Sequence, residues 1–269
     1  MNNMNEPKKK FKIVTDTRAR VILPNALTLI GVCIGLSSIN FALNQNFKLA
    51  IIAIIFAALI DGLDGRIARL IKGTSKVGKE LDSLTDIISF GVAPAFIMYF
   101  WVLNNLGKIG WLLSLVYVVC IALRLARFNI SSTAEPSWRD NFFEGVPSPA
   151  GGILVLTPLI YDVSELQLVS LNYQVLVPII FIVVSILLIS KVPTYAFKKI
   201  SVKRSTTVFL MFGIVLVFVL LFMFPFQTLV AAACFYILSL PISFLHYSKL
   251  EKKNKSENLF DHEEPEDFL

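Results

Sequence analysis

The chain has 269 residues, of which 55% are hydrophobic and 16% charged, with a mean hydropathy of +0.70 and a formal net charge of +6. A water-soluble domain of this length needs more polar surface than that, so the composition excludes an ordinary globular protein. The basic balance invites a nucleic-acid partner, but the lysines and arginines cluster at the ends of apolar runs, where anionic lipid headgroups are the natural counter-charge, and no nucleic acid is expected.

A basic arm, residues 1–21, comes first and carries Lys8, Lys9, Lys10 and Lys12 without a cleavable signal. Eight apolar blocks follow, at about 22–44, 47–71, 84–105, 108–128, 148–163, 174–191, 207–225 and 227–247, most near the roughly 20 residues a bilayer-crossing helix needs. The fifth is short and rich in proline and glycine (Pro147, Pro149, Gly151, Gly152, Pro158), which predicts a broken or tilted helix. Gly31 and Gly35 form a small-xxx-small pair in the first block and read as a close helix contact. Cys33, Cys120 and Cys234 all fall in apolar blocks without CxxC spacing and read as buried hydrophobes. Residues 251–269 hold seven of the 19 acids and no apolar periodicity, as a solvated tail does. The expected fold is therefore all-α: a polytopic membrane bundle of about eight transmembrane helices, six at 22–200 and two more at 201–247, followed by the acidic tail 248–269. With eight spans, 23 of the 25 Lys and Arg residues fall on the side that holds both termini. The positive-inside rule places that side, and with it residues 61–86, in the cytoplasm.

Acidic residues cost about 2.5–3.5 kcal/mol each at mid-membrane on insertion scales. The chain nevertheless puts Asp61 and Asp64 near the end of its second block and Asp82 and Asp86 at the start of the third. On a helix Asp61, Asp64, Gly65 and Ala68 share one face, and Asp82 and Asp86 are i, i+4 neighbours on the next. The short loop between the helices lets all four carboxylates converge. Such a cluster calls for cations, and hard oxygen donors select Mg²⁺, Mn²⁺ or Ca²⁺ over zinc. Two divalent ions cancel four negative charges and suit in-line displacement at phosphorus. Salt bridges to Arg66, Arg69, Lys72 and Lys79 account for one or two of the acids, not four on matched faces. An ion-coupled transporter also carries intramembrane Asp, but usually with broken helices in repeated halves. Gly73–Lys79 has P-loop spacing, yet Glu80 stands where Ser or Thr is required and no strand precedes it.

The run Asp61-x2-Asp64-Gly65-x2-Ala68-Arg69-x8-Gly78-x3-Asp82-x3-Asp86 places eight fixed residues over 26 positions, and it resembles the signature of the CDP-alcohol phosphatidyltransferase family. The resemblance implies a homodimeric enzyme of the cell membrane with two divalent cations, Mg²⁺ or Mn²⁺, and a CDP-lipid donor such as CDP-diacylglycerol, with CMP leaving. It implies Asp61, Asp64 and Asp82 as metal ligands and Asp86 as a metal-proximal catalytic base. Gly65, Arg69 and Ser75 would contact the CDP group, with Ala68 and Gly78 on the same strip. Asn25 and Thr28, after Pro24, resemble the segment bordering the nucleotide, and read equally as caps of a helix opening there. Leu81–Ala95, Ala122–Asn129, Phe143–Ala150 and Lys191–Tyr195 resemble the branch that takes L-serine as acceptor; glycerol 3-phosphate or inositol is the alternative. Arg124 and Arg127 are candidates for the acceptor carboxylate or donor phosphate, against a snorkelling role, and Arg127 is the stronger candidate.

Overall fold

In lipid every backbone N–H and C=O must be satisfied within the protein, so long apolar runs become helices or closed barrels. The computed structural model describes residues 17–71, 75–131, 142–166, 170–195 and 204–261. Among them are nine α-helices: α1 (Thr17–Leu43), α2 (Phe47–Leu70), α3 (Lys76–Asp86), α4 (Ala93–Trp101), α5 (Lys108–Ser131), α6 (Ser148–Val163), α7 (Tyr173–Ile189), α8 (Arg204–Met223) and α9 (Pro225–Asp261). A π-turn at Ile87–Val92 joins α3 to α4 in one segment, so each of the eight apolar blocks lies on one helical segment. Ile22–Leu43, Lys76–Trp101, Lys108–Ile130 and Pro225–Glu251 are long and apolar enough to cross a bilayer, and α6, α7 and Met211–Met223 are shorter apolar helices. The outer surface is apolar as well, with Phe209, Phe218, Phe222 and Leu238 exposed. An exterior of this kind has lipid as its solvent. The chain is an all-α, multi-pass membrane protein.

The core is built from Phe90, Ile97 and Met98 of the third segment, Tyr117 and Ile121 of α5, Leu156, Leu159 and Ile160 of α6, and Phe181 of α7, all fully buried. Against it α1 packs on α2 and on the α3–π-turn segment. A Cβ at Gly35 would lie 2.6 Å from Ser89 Oγ, and one at Gly31 would lie 3.5 Å from Thr85 Cγ2. The small-residue pair of the first block is thus the point where the third segment approaches α1.

Of the cysteines read as buried, Cys120 is buried but Cys33 and Cys234 are exposed, and three details of the helices also depart from the sequence reading. First, α1 begins at Thr17, so Pro24 is inside it and Asn25 and Thr28 are interior residues rather than caps. Second, α6 is an unbroken helix although Pro158 lies inside it; Pro147 is the cap residue and Pro149 lies in the first turn, where no donor is lost. Third, α9 continues helically to Asp261, into the stretch expected to be tail; residues 262–269 lie outside the described residues, as do residues 1–16 of the basic arm.

The π-turn follows Asp86 directly and has a local cause. In a regular helix the Phe90 carbonyl would accept from residue 94, which is a proline without an N–H. The fully buried Tyr117 hydroxyl of α5 donates to Phe90 O instead, at 2.7 Å. Tyr117→Phe is expected to lower stability by about 1–3 kcal/mol, the usual penalty for stranding a buried polar group. Unfolding in detergent would check this, and an unchanged midpoint would show that the carbonyl finds another donor.

A two-stranded antiparallel ribbon pairs β1 (Phe142–Glu144) with β2 (Pro193–Tyr195), tying the loop before α6 to the end of α7. Gly145 turns the chain at φ +74°, and a Cβ there would come within 2.8–3.0 Å of the carbonyls of Ser190, Leu188 and Leu187. Only glycine meets both demands.

Candidate metal centre

α2 and α3 both pack against α1, which brings the aspartates at the end of one and on the other together. Asp61, Asp64 and Asp82 each offer a carboxylate oxygen, and these oxygens lie within 4.8 Å of one another. The Asp86 carboxyl is within hydrogen-bonding range of Asp61. Asp64 is only 3% exposed, and Thr28 Oγ1 donates to its Oδ2 at 2.7 Å while also bonding Pro24 O at 3.0 Å. Among the described residues none of the four carboxylates forms a salt bridge. Three carboxylates gathered this closely without a salt bridge among the described residues fit a hard divalent cation, whose oxygen-ligand preference they satisfy.

Beside the cluster opens a cavity of about 570 Å³. Its lining contains every residue expected at the nucleotide, namely Asn25, Thr28, Gly65, Ala68, Arg69, Ser75 and Gly78, together with Pro24, Asp64, Lys76, Lys79 and Asp82. A Cβ on Gly65 would meet nothing within 4 Å, so the bare backbone there leaves space to the cavity and not to a neighbouring side chain. Gly78 is different: a Cβ on it would collide with Asn25 Oδ1 at 2.8 Å. Ser75 caps α3 by accepting from Gly78 N at 2.9 Å, a local duty in addition to its place on the wall. Arg69, Lys76 and Lys79 set three cations around a cavity whose other wall is acidic. That combination suits a metal-bound diphosphate.

The two arginines of α5 separate. Arg127 directs its guanidinium to backbone, donating to Ile189 O at 2.8 Å, Ser190 O at 3.3 Å and Glu144 O at 3.5 Å, where it closes the C-terminus of α7 and the ribbon. Arg124 is buried at 7% exposure, donates to Ser148 Oγ at 2.7 Å, and lies within electrostatic reach of Asp86. Of the pair, Arg124 stands at the acidic centre. Sequence reasoning did not foresee Thr28 as a buttress of Asp64, nor Lys76 and Lys79 as cavity residues. Their one sequence signal is position, at the first turn of the helix that carries Asp82.

The CDP-alcohol phosphatidyltransferase family profile matches residues 21–189. The chain belongs to the CDP-alcohol phosphatidyltransferase family. It is 46% identical over 137 residues to the CDP-diacylglycerol–serine O-phosphatidyltransferase of Mycobacterium leprae, covering 50% of this chain and 45% of that protein. The enzyme so named from Helicobacter pylori strain 26695 is 36% identical over 198 residues, covering 74% of this chain and 82% of the relative. The one from Methanocaldococcus jannaschii is 35% identical over 180 residues, covering 66% and 77%. The match thus spans about half the length of the mycobacterial relatives, and most of the length of the other two.

Proposed function

We propose that this protein transfers the phosphatidyl group of CDP-diacylglycerol to the hydroxyl of L-serine, releasing CMP and phosphatidylserine. The observation that carries the reading is the convergence of Asp61, Asp64 and Asp82 beside a cavity bordered by Arg69, Lys76 and Lys79. The serine assignment is supported by relatives named for that acceptor. Asp61, Asp64 and Asp82, with Asp86 beside them, would hold divalent cations, Mg²⁺ or Mn²⁺ and two by the family pattern, which when bound neutralise a diphosphate and acidify a nearby hydroxyl. Arg69 and the two lysines draw the diphosphate into the cavity, and Gly65 and Ala68 let it approach the α2 backbone. The acyl chains stay among the apolar outer faces of the helices. Asp86 accepts the proton of the serine hydroxyl, an oxygen–phosphorus bond forms to the lipid-side phosphorus, and the bond to CMP breaks.

The lysine and arginine asymmetry supports a cytoplasmic-membrane protein with both termini and the cavity on the cytoplasmic side. In this reading the 22–200 stretch carries catalysis, supported by a family profile over residues 21–189, and the family resemblance supports a homodimer. An acceptor screen tests the function: purified chain, CDP-diacylglycerol in detergent micelles, Mg²⁺ or Mn²⁺, and CMP release measured with serine, glycerol 3-phosphate or inositol. Serine is expected to drive release. Preference for glycerol 3-phosphate or inositol would overturn serine while leaving family membership intact.

A further inference from the structure

A second cavity, of about 420 Å³, opens between α5 and α7. It shares no lining residue with the donor cavity, which lies on α1, α2 and the start of α3. Its floor is Phe181, Cys120 and Ser185, all buried, and its rim is Val116, Ile182 and Ile186, all exposed. A rim of this kind, on an apolar exterior, faces lipid. The polar side chains of the lining are spent within the protein. A hydrogen bond joins Ser185 to Cys120, and Ser190 Oγ donates to Leu187 O at 2.8 Å. No charged side chain among the described residues lines the cavity. What remains favours hydrocarbon over any polar guest.

The dimensions fit a chain from one leaflet. The lining positions recur every three or four residues on both helices, so the cavity is a slot along the helix axes. From Phe181 to Ser190 it runs about 13 Å at the helical rise, close to half of the roughly 30 Å hydrocarbon core. One end is cationic. The slot closes at Ile189 and Ser190, whose carbonyls accept from the Arg127 guanidinium at 2.8 and 3.3 Å, and the next residue, Lys191, is exposed. This end of the bundle also holds the aspartates, because Asn129 near the end of α5 donates to Ser83 Oγ of α3 at 2.9 Å. In the orientation proposed above it is the cytoplasmic boundary, where lipid phosphates lie. An acyl groove that ends at two cations matches a lipid with net negative charge, whereas a zwitterionic headgroup brings a cation of its own to the same place.

We infer that the α5–α7 slot binds an anionic phospholipid of the surrounding bilayer, with one acyl chain along Cys120 and Ser185 and the headgroup phosphate at Lys191. This lipid is a bound neighbour and not the donor, whose diphosphate belongs to the other cavity. The inference goes beyond the transferase reading and holds for whichever alcohol is accepted.

The test is native mass spectrometry of the full-length protein in detergent, titrated with phosphatidylglycerol or with phosphatidylcholine of the same chains. The wild type is expected to retain phosphatidylglycerol at concentrations about tenfold below those needed for phosphatidylcholine. Lys191→Gln should weaken phosphatidylglycerol about tenfold, the loss of a hydrogen bond to a charged group, and leave phosphatidylcholine within about twofold. Ile186→Trp, at an exposed rim position where added bulk does not disturb the core, should narrow the slot and weaken both lipids. Equal wild-type affinity for the two lipids, or unchanged binding in either variant, overturns the inference. Two other results overturn it by naming a different occupant. Loss of a dimer in Ile186→Trp with lipid binding intact assigns the slot to a second copy, and a raised KM for CDP-diacylglycerol in that variant assigns it to the donor's own chain.

Discussion

Asn replacement at Asp61, Asp64 or Asp82 is expected to lower transfer by orders of magnitude while leaving the protein inserted in the membrane. Each side chain contributes an oxygen to a group spanning less than 4.8 Å. An amide keeps the shape but loses the charge that a divalent cation requires of its ligands. The loss should exceed the roughly 10–100-fold that follows from changing a residue behind a metal ligand. Thr28 supplies the internal comparison, because it touches Asp64 Oδ2 at 2.7 Å and no other carboxylate of the cluster. Thr28→Val should fall in that milder range and shift the metal concentration needed for half-maximal rate. A chelator should abolish activity in the wild type, and added Mg²⁺ or Mn²⁺ should restore it. Full activity in chelator would exclude a metal centre altogether. Equal losses for Thr28→Val and Asp64→Asn would mean that the cluster serves folding more than ligation.

The parts legible in the sequence were those governed by local pattern. Apolar run length located the helical segments, since backbone satisfaction in lipid leaves few other structures. The i, i+3 and i, i+4 spacing of Asp61, Asp64, Asp82 and Asp86 put the acids on facing strips because helix geometry is nearly invariant. Less legible was whatever depended on a distant partner. Arg124 and Arg127 lie one turn apart and look equivalent in the sequence. What separates them is that the carbonyls of Ile189 and Ser190 end a helix beside one of them. That meeting depends on the pairing of β1 with β2 across about fifty residues, which three-residue strands do not announce. Ser75 was expected only as a nucleotide contact, through the family resemblance. It caps α3 and lines the cavity as well.

Asp86→Asn is expected to reduce turnover by roughly 10²–10⁴-fold, the usual range for removing a general base, while sparing donor binding. The four acids are not equivalent in position. Asp64 and Asp82 line the donor cavity and Asp61 shares their cluster of oxygens, whereas Asp86 does neither, and its Oδ1 is sealed from solvent without a partner among the described residues. A carboxylate so placed can meet an incoming hydroxyl without touching the diphosphate. The asparagine variant keeps the side-chain volume and one oxygen, but it cannot accept the proton that must leave before the oxygen–phosphorus bond is complete. Asp61→Asn, by contrast, should weaken CDP-diacylglycerol binding together with turnover, because a ligand of the diphosphate-holding centre is lost. Donor affinity and single-turnover rate measured side by side on the two variants separate these roles. If Asp86→Asn turns over normally, another group takes the proton. If it loses donor binding as completely as Asp61→Asn, Asp86 belongs to the metal-holding set alone, and the acceptor hydroxyl is deprotonated elsewhere.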